Sequence, residues 1–170
     1  ADDARLENYQ SEIAAAGIYP VIEIKDIGAD HPNTYQLNLK NGDDQHQVIA
    51  LSIGGGMIEV IQIDGAKVNM VGGFYETLIY TSNPKMVCEF VDSVIHLDEI
   101  EICEGQKTFV NIKSQNPVDD DVLERLAHFE EVQSIRVLNP VLPIKARKNL
   151  EVPFGNCEEM LVYNEDKNLD

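Results

Sequence analysis

The spacing of apolar positions changes period along this chain, and each change marks a different kind of element. Near the start, Leu6, Tyr9, Ile13 and Ala16 recur at helical spacing. Asp2 or Asp3 can cap that helix, and Gly17 offers a left-handed stop. Residues 19–27 then alternate, with Val21, Ile22, Ile24 and Ile27 set against Glu23, Lys25 and Asp26, which predicts a strand. Residues 35–39 and 47–53 predict two more strands joined by Asn41-Gly42, a strong hairpin signal. After Gly54-Gly55-Gly56, residues 57–63 and 66–71 alternate on either side of Asp64-Gly65. Residues 19–71 therefore read as an antiparallel meander, and Gly72-Gly73 offers a hinge after it.

Beyond the hinge, strand and helix patterns interleave. Residues 75–80 predict a strand, and Ser82-Asn83-Pro84 opens a helix carrying Met86, Val87, Phe90, Val91 and Val94. Strands follow over 98–103 and 108–112 around Glu104-Gly105-Gln106. Asn116-Pro117 and Asp119-Asp120-Asp121 start a second helix, where acids suit the positive N-terminal end, with Val122, Leu123, Leu126 and Phe129 as its stripe. A last strand covers 132–138. Strand–helix–strand–strand–helix–strand over about 65 residues is the split βαβ, ferredoxin-like order, so the fold class is α+β. The tail from residue 142 has two prolines, a basic patch at Lys145, Arg147 and Lys148, and a polar end. It reads as a linker. The expected domains are thus 1–73, 74–141 and a linker over 142–170.

Composition narrows the partners. The net charge of −17, from 30 acidic against 13 basic residues, excludes nucleic acid and anionic membrane surfaces, which would repel the chain. No apolar run approaches the about 20 residues that span a bilayer, and no signal segment opens the chain, so a soluble cytoplasmic protein is expected. Cys88, Cys103 and Cys157 are too widely spaced for a disulfide framework or a cluster motif. His31, His46, His96 and His128 fall on different elements at no metal-ligand spacing, with His46 and His128 expected to face solvent. No metal site and no catalytic residue is expected within these residues.

Two short motifs carry candidate chemistry. In His31-Pro32-Asn33-Thr34 a proline fixes the backbone while imidazole, amide and hydroxyl groups are presented at a strand entrance. In Ser52-Ile53-Gly54-Gly55-Gly56 three glycines interrupt a good strand. Either the glycines serve a bulge or tight crossing, with His31 packed against it, or their N–H groups approach an anion such as a carboxylate.

This pair of motifs resembles the allosteric-substrate-binding module of iron–sulfur-dependent L-serine dehydratases. The βαββαβ pattern over 74–141 resembles an ACT domain, the amino-acid-sensing fold that follows that module in longer members. Phe154-Gly155-Asn156-Cys157-Glu158-Glu159-Met160-Leu161 is similar to the start of their catalytic domain. Departures accompany the resemblance. The family's serine- and histidine-rich motif is missing, which implies a chain beginning inside the module. Thr81-Ser82-Asn83-Pro84-Lys85 has lysine where ACT domains carry glycine.

The resemblance implies a regulatory, non-catalytic stretch of an enzyme that deaminates L-serine to pyruvate and ammonia. It implies L-serine as effector, with His31, Asn33 and Thr34 making polar contacts and Ser52, Gly54, Gly55 and Gly56 meeting the carboxylate. It places a [4Fe-4S] cluster in a catalytic domain of the same chain, outside these residues, and suggests a homodimer formed by side-by-side ACT sheets. The same modules occur in some D-3-phosphoglycerate dehydrogenases, where the ACT domain ends the chain, whereas this chain runs on past Val141. A stand-alone amino-acid-binding or dimerising protein is the remaining alternative.

Overall fold

A computed structural model describes residues 8–95, 98–141 and 155–167. In chain order the first elements are α1 (Tyr9–Ala15), β1 (Thr34–Asn41), β2 (Asp44–Gly54), β3 (Met57–Ile63), β4 (Ala66–Met70) and β5 (Tyr75–Thr81). There follow α2 (Pro84–Val94), β6 (Glu99–Cys103), β7 (Phe109–Ser114), α3 (Asp120–Ala127), β8 (Val132–Leu138) and α4 (Cys157–Lys167). The fold is α+β with two antiparallel sheets. The chain divides into two compact units, one of residues 21–142 and one of residues 1–20 with 143–170.

The larger unit holds both sheets. The first is a meander in the order β1-β2-β3-β4. Its turns follow from residues that tolerate positive φ. Asp64 (φ 50°) and Gly65 (φ 81°) join β3 to β4, and both central positions of such a two-residue hairpin need that conformation. Asn41 pairs with Asp44, so the first turn centres on Gly42-Asp43, one residue later than the Asn-Gly pattern suggested. The second sheet has the order β6-β7-β5-β8, all pairs antiparallel, with α2 and α3 as crossovers. This is the split βαβ order that the alternating patterns predicted.

The second sheet is buried on both faces. Ile79, Val110 and Ile112 meet Val87 and Val91 of α2 and Val122 and Leu126 of α3. On the opposite face Leu78, Tyr80, Cys103 and Phe109 pack against Ile63, Ala66, Val68 and Met70 of the meander. The helices start where their caps lie. Asn83 accepts from the Met86 amide at 3.3 Å ahead of Pro84, and Asp120 and Asp121 occupy the first turn of α3.

Two expectations need correction. Residues 18–29 form no strand and no other regular structure. Their apolar side chains fall on both faces of an extended chain, and no neighbouring strand takes their N–H and C=O groups, so periodicity alone does not make a sheet. His46 does not face solvent. Its side chain is only 20% exposed and bonds to Asp64. In the smaller unit, Asn156 and Glu159 form a reciprocal cap ahead of α4. Asn156 Oδ1 accepts from the Glu159 amide at 2.9 Å, and Glu159 Oε1 accepts from Asn156 Nδ2 at 2.9 Å. The stretch expected to be a linker thus carries a capped helix at Cys157–Lys167. Asp2, Asp3, Leu6, His96, the basic patch at 145–148 and Phe154 lie outside the described residues.

One buried acid gives a pH prediction. Glu76 is 4% exposed on the meander-facing side of β5, and its Oε2 accepts from Asn111 Nδ2 at 2.8 Å. Burial, partly offset by that hydrogen bond, raises its carboxyl above the ordinary range near 4.5. An acid whose folded pKa lies above its unfolded value favours the fold while protonated and loses that contribution as pH rises through the folded pKa. Glu76→Gln is therefore expected to be more thermostable than wild type at neutral pH. The gap in Tm should close as the pH falls toward 4.5. A constant gap across that range would contradict the assignment.

Candidate functional site

The first two strands bring the two motifs together. The ladder between β1 and β2 runs from Asn41↔Asp44 to Thr34↔Leu51, and Ser52 N then donates to Asn33 O at 2.9 Å. Asn33 thus lies directly beside Ser52, and Ser52 in turn pairs with Ile58 on β3. Asn33 and Ser52 share the face that carries Tyr35 and Ala50, because directly opposite residues in a ladder point the same way. Among the described residues, neither the Asn33 carboxamide nor the Ser52 hydroxyl has a hydrogen-bond partner. Two adjacent polar side chains with unused donors and acceptors stand at one end of the sheet.

Local bonds shape the loop that enters β1. The Asn33 amide donates to His31 Nδ1 at 3.2 Å, and the Thr34 hydroxyl donates to His31 O at 2.6 Å. With Nδ1 accepting, the free Nε2 edge of His31 carries the ring proton toward solvent. Thr34 sits opposite Leu51, on the other face from Asn33 and Ser52. The structure therefore brings His31, Asn33 and Ser52 to one corner, while the Thr34 hydroxyl closes the loop.

The three glycines form the adjoining β2–β3 turn. Gly54, Gly55 and Gly56 have φ of 95°, 60° and 79°. A Cβ built at Gly54 or Gly55 would meet nothing within 4 Å. Conformation, and not a tight crossing, is what requires glycine here, and the space beside the backbone is open. A register shift between Ser52 and Gly54 loosens the ladder just before the turn.

A second polar cluster, not legible in the sequence, lies between the two sheets. Asp64 is 4% exposed. Its Oδ2 faces His46 Nδ1 at 2.6 Å and accepts from Tyr80 OH at 3.4 Å, while Oδ1 accepts from the Gln47 amide at 2.9 Å. Its backbone carbonyl accepts from the Gln106 amide at 2.7 Å. One residue of the meander therefore joins β2 to both β5 and the β6–β7 turn. Around it, Arg136 donates to Asp44 at 2.8 Å and Lys107 donates to Gln45 O at 2.7 Å. The Arg136 hydrogen bond holds the Asp44 carboxyl below its usual range. Burial, reinforced by the Asp64 charge, pushes the Tyr80 phenol well above its own.

Two of the cysteines lie apart within the larger unit. Cys88 packs with the helix-side core and Cys103 with the inter-sheet core, so these two lie on opposite faces of the second sheet. Burial and the nearby Glu101 push the Cys103 thiol up to about 12, which leaves it protonated and a poor ligand. No group of three or more His, Cys, Asp or Glu residues capable of holding a metal occurs among the described residues. No helix among them is long and apolar enough to cross a membrane.

Fold and corner together define an α+β protein with a meander sheet stacked on a split βαβ sheet and an open polar corner. The chain is similar to the probable L-serine dehydratase, beta chain, of Bacillus subtilis (strain 168). The two are 22% identical over 139 residues, which cover 76% of this chain and 63% of that protein. The match thus spans less than two thirds of the relative's length. No family model matches the chain.

Proposed function

We propose that this chain is a regulatory, amino-acid-sensing part of an L-serine dehydratase and that it performs no catalysis by itself. The observation that carries the reading is the pairing of Ser52 N with Asn33 O, which sets two unpartnered polar side chains beside an open glycine turn. Similarity to a serine dehydratase beta chain supports the choice of ligand class. L-serine offers a carboxylate, an ammonium group and a hydroxyl. The N–H groups of Gly54, Gly55 and Gly56 suit the carboxylate, as successive backbone donors in turn conformations suit anions. His31, Asn33 and Ser52 suit the other polar groups, and Thr34 holds the loop that presents them. The meander is then an allosteric-substrate-binding module and the split βαβ sheet an ACT domain.

In the parent enzyme, loss of water from L-serine and release of ammonia belong to a catalytic domain of the same chain that carries a [4Fe-4S] cluster. No step of that reaction runs through the residues described here. Binding biases the parent's activity only as far as serine prefers one of its states over another.

Calorimetric titration of L-serine into the chain tests the reading. His31→Ala and Ser52→Ala are each expected to weaken binding about tenfold or more, the effect of losing one hydrogen bond to a charged or well-placed group. Heats equal to wild type from both variants would remove these residues from the site.

A further inference from the structure

Strand β1 is the edge of the meander, and among the described residues no further strand pairs with it. Tyr35, Leu37 and Leu39 are 56%, 41% and 50% exposed and lie opposite Ala50, Val48 and His46, on the face that farther in forms the inter-sheet core. Gln36, Asn38 and Lys40 line the other face. An eight-residue edge with one apolar face and no covering strand among the described residues is a template for strand addition.

The same chain carries an extended segment of similar length that joins no sheet among the described residues. In residues 21–27, Ile22 and Ile24 are 71% and 101% exposed on one side, while Glu23 and Lys25 pair with each other at 2.8 Å on the other. Ile22 and Ile24 suit the apolar side of β1, while Val21 and Ile27 fall on the side of Glu23 and Lys25. The charges match as well: the segment's Glu23, Lys25 and Asp26 sum to −1, and the only charged residue of β1 is Lys40. Pro20 falls just before the segment, where a strand tolerates it.

We propose that residues 21–27 of one copy of this chain add antiparallel to the β1 edge of a second copy, and reciprocally, so that two meanders close into a two-fold dimer. With Ile22 opposite Leu39 and Ile24 opposite Leu37, Glu23 falls diagonal to Lys40. The exchange is self-complementary and sets Ile22 and Ile24 beside Leu39 and Leu37. It uses different edges from the side-by-side pairing of split βαβ sheets, whose open strands are β6 and β8.

Light scattering on the full chain at near-physiological salt tests the proposal, with circular dichroism confirming that each variant is folded. Wild type is expected to approach twice the monomer mass. Ile22→Asp/Ile24→Asp, which spoils the segment, and Leu37→Asp, which spoils the edge, are each expected to raise the dissociation constant about tenfold or more. Mixing the two variants is expected to restore part of the association, since one intact segment then meets one intact edge. A monomeric wild type would overturn the proposal, as would a dimer that survives both variants or a mixture that associates no better than either variant alone.

Discussion

Gly105→Ala is expected to be among the most damaging single substitutions in this chain, although Gly105 is exposed and its φ is ordinary. A Cβ at this position would lie 2.3 Å from the Ala66 amide nitrogen, 2.6 Å from Asp64 O and 2.7 Å from the Gly65 carbonyl carbon. All three are backbone atoms of the β3–β4 hairpin, so no rotamer change relieves the contact. The β6–β7 turn must move away, and the adjacent Gln106 N to Asp64 O bond, 2.7 Å long, is lost with it. Overpacking of this kind costs about 3 kcal/mol, and a buried carbonyl left without its donor adds to that. In a chain of this size a loss of about 3 kcal/mol lowers Tm by roughly 6–12 °C. Differential scanning calorimetry reads it directly. An unchanged Tm would mean that the two turns do not touch. Alanine at Gly55, where no atom lies within 4 Å, is expected to cost only the strain of a left-handed backbone, about 1–2 kcal/mol.

Asp64→Ala is the second large effect. Its carboxylate serves His46, the Gln47 amide and the buried Tyr80 hydroxyl, and its backbone sits at φ 50°, where Asp and Asn are tolerated and alanine is strained. Alanine therefore removes three acceptor contacts and adds strain, for an expected loss of about 3–4 kcal/mol by denaturant unfolding. Asp64→Asn keeps the turn and one acceptor oxygen and should lose about half as much. Because His46 and Asp64 share one network, adding His46→Ala to Asp64→Ala should cost at least about 1 kcal/mol less than the two separate losses combined. Additive losses, or equal losses from Ala and Asn at position 64, would contradict an inter-sheet role for this carboxylate.

These two positions also show where sequence reading stops. The split βαβ sheet was legible because its signals are local. Asn83-Pro84 and the Asp119–Asp121 run start helices, and the apolar stripes of α2 and α3 give their buried faces. The hairpin joining the two motifs was legible from Asn41-Gly42, but its register was not: a turn centred there would set Asn33 opposite Ala50, and the shift to Gly42-Asp43 sets it beside Ser52. The Asp64 network was not. It depends on register shifts between Ile49 and Ala50 and between Val60 and Gln62, on a left-handed Asp and on the stacking of two sheets. None of these leaves a periodic trace. Residues 19–27 fail in the opposite way: alternation marks a segment able to join a sheet but says nothing of which edge it joins. Helix α4 is signalled by Asn156 and Glu159, but the apolar residues that follow, Met160 to Tyr163, are consecutive and mark no single buried face.

The corner formed by His31, Asn33, Ser52 and the glycine turn is proposed to hold a small amino acid. The most direct test is to titrate L-serine into isotope-labelled chain and follow the backbone amides by NMR. The account predicts saturable shifts concentrated on residues 31–34 and 52–57, larger for L-serine than for an amino acid without the hydroxyl. Shifts centred on the Asn83–Lys85 turn, or no saturable shift anywhere, would contradict it.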